Sequence, residues 1–422
     1  MEKFKVISGG VCAAKGFKAS GVYCGIKQTM NGNIPDGNDS PLGKKNDIAM
    51  VMADVVCNTA GVYTSNKVKG APVIVTKENL ERTGGKARAV IVNSGNANTA
   101  VSGGEDVARE MCRLTGEALG ISPEEVIVAS TGVIGQVLPL KPIEQAVPRL
   151  REGLSYEGNE AAATAIMTTD TVKKEFAVEF EIGGKTCHIG GMAKGSGMIH
   201  PNMATTLNFI TTDCNISVSA LQAALSETVK VTYNCLCVDG DQSTNDMCMV
   251  MASGLAGNDE ITENSEEYDI FKSALYEVMA NLTRMLAKDG EGATRLITCI
   301  CGSAPSVDIA IAAAKSVIRS PLVKCAMFGA DANCGRILCA IGYTEEDFDI
   351  SHVDIYYSSA KGKIKVCEDG VCIPFSEEVA KEILLEDEVD LLIDLNTGDK
   401  SATAWGCDMT YDYVKINGDY RS

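Results

Sequence analysis

The sequence predicts a mixed α/β fold, and three observations carry that expectation. Strand-like and helix-like periodicities alternate along the chain, neither a low-complexity linker nor an internal repeat interrupts them, and 45% of the 422 residues are hydrophobic. That is enough for a large core, in one large body or two domains.

The elements follow in order. Apolar runs at 71–75 and 89–92 read as buried strands, the second ending in the turn-rich Asn93-Ser94-Gly95-Asn96-Ala97-Asn98. A helix is predicted from Gly104-Glu105-Asp106, whose acidic first turn complements the helix dipole, to a stop at Gly120. Ser122-Pro123 turns the chain into a strand at 126–129, which empties into the small-residue loop Ser130-Thr131-Gly132-Val133-Ile134-Gly135. Residues 175–182 alternate apolar and polar, Gly183-Gly184-Lys185 turns the chain, and 187–189 return as a hairpin partner. A strand is expected at 207–213, a helix at 218–231, a strand at 247–251 and a long amphipathic helix at 266–286. Further helices fit 307–318 and 377–385, with strands at 353–357, 363–366 and 389–393. A border between a main body and a smaller C-terminal α/β part is placed near residue 290.

Composition excludes several functions. Thirty-eight basic residues face 56 acidic ones, and the net charge of −18 repels phosphate backbones and anionic membranes. Neither nucleic acid nor a membrane is therefore expected as a partner. The N-terminal residues lack an apolar signal core and no run approaches the about 20 apolar residues of a membrane span, so a cytoplasmic location is expected. The 17 cysteines are scattered without a C-x-x-C, and with only three histidines they match neither zinc nor iron–sulfur spacing. They read as buried, reduced thiols, and no metal is expected. Alternation would place both sulfurs of Cys235/Cys237, and of Cys299/Cys301, on one strand face.

The run Lys194-Gly195-Ser196-Gly197-Met198-Ile199-His200-Pro201-Asn202-Met203-Ala204-Thr205-Thr206-Leu207 carries the most chemistry. A threonine hydroxyl is a weak nucleophile unless a base stands beside it, and a threonine at a chain N-terminus carries its own base in its α-amine, with a reference pKa of about 8. Inside a chain, Thr205 has an amide there instead. Activity would wait for cleavage of the Ala204-Thr205 bond, which the small Ala204, the glycines and the helix-excluding Pro201 all suit. By itself, the run fits equally well a glycine-rich loop leading into an ordinary buried strand.

Motifs elsewhere favour the first reading. Asn93-Ser94-Gly95-Asn96-Ala97-Asn98, Ser130-Thr131-Gly132-Val133-Ile134-Gly135, Met167-Thr168-Thr169-Asp170-Thr171, Val238-Asp239-Gly240-Asp241-Gln242-Ser243-Thr244-Asn245-Asp246, Asp289-Gly290-Glu291-Gly292 and the terminal Asn417-Gly418-Asp419-Tyr420-Arg421-Ser422 occur in order. With them the chain resembles, essentially end to end, the ornithine acetyltransferase (glutamate N-acetyltransferase) family of the cyclic arginine pathway. The resemblance implies an α/β sandwich of N-terminal-nucleophile type, cut into an α chain, 1–204, and a β chain, 205–422, that stay interwoven and assemble as a heterotetramer.

It also implies roles. Thr205 would be the nucleophile, Ala204-Thr205 the scissile bond, and Thr131 with Gly132 the oxyanion hole. Thr171, Lys194, Thr205, Glu291, Asn417 and Ser422 would contact substrate. Lysine suits an α-carboxylate and glutamate an ammonium, although either alone reads as an exposed loop ion. Some positions depart from the family pattern: Ser422 stands for threonine, Cys334 for tryptophan, Thr206 for methionine, and His200 for a small residue.

The expected activity is transfer of acetyl from N-acetyl-L-ornithine to L-glutamate through an acyl-threonine, with no metal or bound cofactor and with acetyl-CoA as co-substrate if glutamate is also acetylated directly. Two alternatives remain at this level. An N-terminal-nucleophile amidohydrolase or aminopeptidase would use the same groups with water as acceptor, and a thiol-rich binding protein would use none of them.

Overall fold

The computed structural model describes residues 4–29, 45–200 and 206–418. Its strands, in chain order, begin with β1 (Lys5–Ile7), β2 (Phe17–Val22), β3 (Ile48–Tyr63), β4 (Lys86–Asn96) and β5 (Val126–Val133). Next come β6 (Lys174–Ile182), β7 (Lys185–Lys194), β8 (Leu207–Thr212), β9 (Leu236–Cys237) and β10 (Met247–Ala252). The last six are β11 (Leu296–Ala304), β12 (Asp354–Ser359), β13 (Gly362–Glu368), β14 (Val371–Cys372), β15 (Glu388–Asp394) and β16 (Lys400–Cys407).

They form two mixed sheets. The nine-stranded sheet runs β1-β6-β7-β8-β10-β3-β4-β5 with β2 beside β3, and the seven-stranded sheet runs β14-β13-β12-β15-β11-β16-β9. Helices Ala71–Thr83, Gly104–Leu119 and Leu140–Glu152 pack together, the first two against β5. The long helix Glu267–Lys288 lies between the sheets, against β6 and β7 of one and β11 and β16 of the other. Its buried residues, among them Phe271, Leu275, Val278 and Leu282, recur at helical spacing and belong to the largest hydrophobic cluster. The expectation of a mixed α/β architecture holds.

Local chemistry accounts for many boundaries. The β6–β7 hairpin turns on Gly183 and Gly184, whose φ of 55° and 71° suit the two-residue turn that matches strand twist. Ser217 caps the helix Val218–Lys230 by accepting from Ala220 N at 3.2 Å, and Ser306 caps Val307–Arg319 through Ile309 N at the same distance. Cys299 and Cys301 are both buried on β11, as alternation requires, whereas of Cys235 and Cys237, expected together on one strand face, only Cys237 lies on β9 and Cys235 ends the 3-10 turn before it, buried as well.

One element is corrected. Residues 71–75, expected as a strand, open the helix Ala71–Thr83. Pro72 occupies the first helical turn, where its missing N–H costs nothing, and the short apolar run Val73-Ile74-Val75 fits a buried helix face as well as a strand. Turn-rich 93–96 and loop residues 130–133 also extend β4 and β5 further than expected.

Candidate active site

The pocket that collects the sequence-derived candidates forms where strand ends meet three loops. Lys194 closes β7 opposite Leu207, the first residue of β8, and Leu207 pairs in turn with Met247, the first residue of β10. Thr131, Gly132, Lys194, Glu291 and Asn417 line this pocket together with Gly197, Thr206, Asn245 and Asp246. Five of the expected site residues thus share one wall system. Ala204, Thr205 and Ser422 lie outside the described residues, the first two within the gap between His200 and Thr206.

Gly132 shows why a glycine stands in the expected oxyanion hole. Its φ is 131°, it pairs with Gly95, and a Cβ there would lie 2.2 Å from the Gly95 carbonyl carbon. The side chain of Asn245 locks this loop in place, donating to Ala97 O at 2.6 Å and Ser130 O at 3.0 Å while its own oxygen accepts from Thr99 Oγ1 at 2.6 Å.

On the opposite side, Glu291 N donates to Ser196 O at 2.9 Å and Ser196 Oγ donates to Asp289 O at 2.6 Å, tying the glycine-rich run to the loop after the long helix. A Cβ on Gly197 would stand 2.2 Å from Glu291 Oε2, so only glycine leaves room for that carboxylate. Asn417 Nδ2 donates to Glu291 Oε2 at 2.7 Å. The Lys194 ammonium and the Glu291 carboxylate therefore face the same space, a charge pairing suited to an amino acid.

Beneath the pocket lies a buried ionic triad. Lys174 Nζ is 2.7 Å from Asp170 Oδ1 and 2.6 Å from Asp289 Oδ2, and Gly195 N donates to Asp170 Oδ1 at 2.8 Å. Burial pushes the Asp170 carboxyl up, but Lys194 and Lys174 more than offset it and hold it at about 2. Thr171 belongs to this triad instead of the pocket wall: it is exposed and gives its N–H, at 3.1 Å, and its hydroxyl to Asp289.

The loop 238–246 holds both arms of the gap. Met198 N and Ile199 N donate to the Asp239 carboxylate at 2.6 and 3.0 Å on one side, and Thr206 N donates to Asp246 Oδ1 at 2.6 Å on the other. Thr206 has a φ of 97°, a strained value for a β-branched residue. Asn208 Nδ2, donating to Thr206 Oγ1 at 2.5 Å, and Met247 N, donating to Thr206 O at 3.0 Å, help to hold it there. Sequence reading marked this loop only as a family motif and missed Asn245 and Asp246 as parts of the site. A polar Ser-Thr-Asn-Asp string feeding an apolar strand was the available signal.

Among the described residues, one group could present ligand atoms to a metal ion: Cys187, Asp213 and Cys214, all within 4.8 Å of one another. Asp213 is already committed, accepting from His188 N and facing His188 Nδ1, each at 2.7 Å, and accepting from Lys15 N at 3.2 Å.

Fold and pocket together describe an α/β protein with an enzyme-like site for a small molecule carrying both charges. A family model for the ArgJ family matches residues 36–422. The chain is 47% identical over 420 residues to the arginine biosynthesis bifunctional protein ArgJ of Caldanaerobacter subterraneus subsp. tengcongensis, covering 99% of this chain and 100% of that protein. It is 48% identical over 418 residues to the protein of the same name in Symbiobacterium thermophilum, covering 99% of each. The crystal structure of the corresponding Bacillus halodurans protein aligns with a TM-score of 0.49 at 43% identity, over 51% of this chain and 100% of that one. The chain belongs to the ArgJ family, as its motifs led one to expect. No described helix is long and apolar enough to cross a membrane.

Proposed function

We propose that this protein is a glutamate N-acetyltransferase of arginine biosynthesis, moving acetyl from N-acetyl-L-ornithine to L-glutamate by a ping-pong reaction through Thr205. Family membership over nearly the whole chain supports the reaction. The observation that carries the site is the convergence of Thr131, Gly132, Lys194, Glu291 and Asn417 on one pocket, flanked by both arms of the segment that contains Thr205.

In this reading the chain first cuts itself between Ala204 and Thr205. The freed α-amine then accepts the hydroxyl proton as Thr205 attacks the acetyl carbonyl, and returns it to the departing ornithine amine. Thr131 and the Gly132 N–H hold the oxyanion, a contribution worth about 3 to 4 kcal/mol per donor. Lys194 receives an α-carboxylate, while Glu291, aligned by Asn417, receives an ammonium. Glutamate then occupies the place that ornithine leaves and takes the acetyl group. Ser422 would contact substrate, whereas Thr171 would act through Asp289. This chemistry calls for no metal or bound cofactor. Acetyl-CoA would serve as a second acetyl donor, to glutamate, if this protein is bifunctional as its relatives are named. A cytoplasmic setting and a heterotetramer of two α and two β chains belong to the same reading.

Incubation of the purified protein with N-acetylornithine, with and without glutamate, tests it. Acetylglutamate should form in step with ornithine, and the wild-type polypeptide should give two fragments meeting at 204/205. Acetate release indifferent to glutamate would instead mean a hydrolase, and an uncut, active chain would remove the N-terminal base.

A further inference from the structure

The α-amine of Thr205 cannot serve as base for the cut that creates it, because until then it is an amide nitrogen. Self-cleavage needs a different proton acceptor. Three ionisable side chains line the described pocket: Lys194 from the end of β7, Glu291 from the loop after the long helix, and Asp246 from the loop before β10. Lys194 stands toward Asp170 and Asp246 as the positive partner of both. Glu291 already receives the Asn417 amide and fills the space above Gly197. His200, only a few residues upstream, also has a buried and unpartnered Nδ1, but it is not among the pocket residues, lies near Lys315 and Arg319, and is held at about 4 chiefly by burial.

Asp246 differs from these. Its side chain is buried, at 3% exposure, and Oδ1 is fixed on Thr206 N, the atom covalently joined to residue 205. Oδ2 is equally buried and receives no hydrogen bond of ordinary geometry among the described residues, although Ser243 stands close enough to favour the charged form of the carboxylate. We propose that Asp246 is the proton acceptor for Thr205 during chain cleavage, a role that rests on the reading of 204/205 as the scissile bond.

The step balances. Asp246 Oδ2 takes the Thr205 Oγ proton as Oγ bonds to the Ala204 carbonyl carbon. The C–N bond then breaks, and the same proton passes to the nitrogen, leaving an amine and an Ala204 ester on Oγ. Water adds to that ester, and its proton goes through Asp246 to the Thr205 oxygen as the C–Oγ bond breaks. The products are the Ala204 carboxyl and free Thr205. Burial pushes the Asp246 carboxyl up to about 7, against the lowering influence of Thr206 N–H, Ser243 and Lys194, so it exchanges protons near neutrality.

The test follows cleavage of full-length chain made by cell-free translation, read by denaturing mass spectrometry. Asp246→Asn keeps an oxygen for the Thr206 N–H but cannot take up a proton, and it should slow cleavage at least about 100-fold, with partial rescue by Asp246→Glu. Wild-type cleavage should fall as pH drops through about 7. An Asp246→Asn chain that cuts at the wild-type rate, or a wild-type rate that stays flat from about pH 5.5 to about pH 8.5, overturns the inference while leaving the scissile bond in place. The wild-type profile decides the matter even if the variant misfolds. A wild-type chain that transfers acetyl without being cut would instead overturn the reading on which the role rests.

Discussion

The side-chain amide of Asn417 donates to Glu291 Oε2 at 2.7 Å, joining the helix Tyr411–Asn417 to the loop after the long helix. Without that bond the carboxylate can swing toward water. Asn417→Ala should therefore raise KM for N-acetylornithine by about tenfold to a hundredfold, the usual range for a hydrogen bond to a charged group, while leaving thermal stability unchanged. Gly197→Ala should act on the same carboxylate from the other side, since its Cβ would sit 2.2 Å from Oε2. Steady-state kinetics beside a melting curve checks both variants.

Thr131 and Gly132 separate binding geometry from catalysis. Thr131→Val removes a hydroxyl at constant shape and should lower kcat by about a hundredfold with little change in Tm. Gly132→Ala should lower kcat further and destabilise the protein as well, because its Cβ meets the Gly95 carbonyl carbon and Asn96 N at 2.2 and 2.5 Å and pushes β4 from β5. Single-turnover acetylation distinguishes the two effects. An unaltered acylation rate in Thr131→Val would remove that hydroxyl from the oxyanion hole.

The triad Asp170–Lys174–Asp289 makes stability depend on pH in a stated direction. The folded Asp170 carboxyl, at about 2, lies below its ordinary value near 4, so its contribution is present above about pH 4 and is lost as pH falls toward 2. Lys174→Met removes the ammonium that both buried carboxylates contact, leaving Asp170 with Lys194 and Asp289 with its Thr171 hydrogen bonds, and should cost about 3 kcal/mol at neutral pH. Urea unfolding at pH 7 and at about pH 3 measures both effects, and the variant should lose less than wild type on acidification.

How far the sequence can be read differs between the fold and the site. The β6–β7 hairpin, β8, the helix from Gly104 and the long helix are legible because alternation, turn glycines and caps act locally. The helix at 71–83 is not, since an apolar β-branched run satisfies strand and helix patterns alike and only the packing against β5 chooses between them. The sixteen-residue strand β3 also passed unread, because Asp54 and Asn58 interrupt its apolar pattern while their partners, Lys18 and Ile216, are distant in sequence. Lys194, Glu291 and Asn417 were found through resemblance. Periodicity carries no sign that residues so far apart share a pocket. Asp246 was read only as the end of a family motif, since the surroundings of its carboxylate exist only in three dimensions.

The strand order has a consequence for how such a molecule could be made and replaced. β8 and β10, which follow residue 205, are wedged between β7 and β3, which precede it. Neither part could hold this sheet alone: the earlier one would have a slot two strands wide, and the later one two strands with no neighbours. A cut at 204/205 would then release a new chain end without releasing a piece. Halves synthesised separately would have to meet before the nine-stranded sheet could close, and a worn half could not be exchanged for a fresh one without opening it. Damage to either part would condemn the whole molecule, and the cell would have to renew both together.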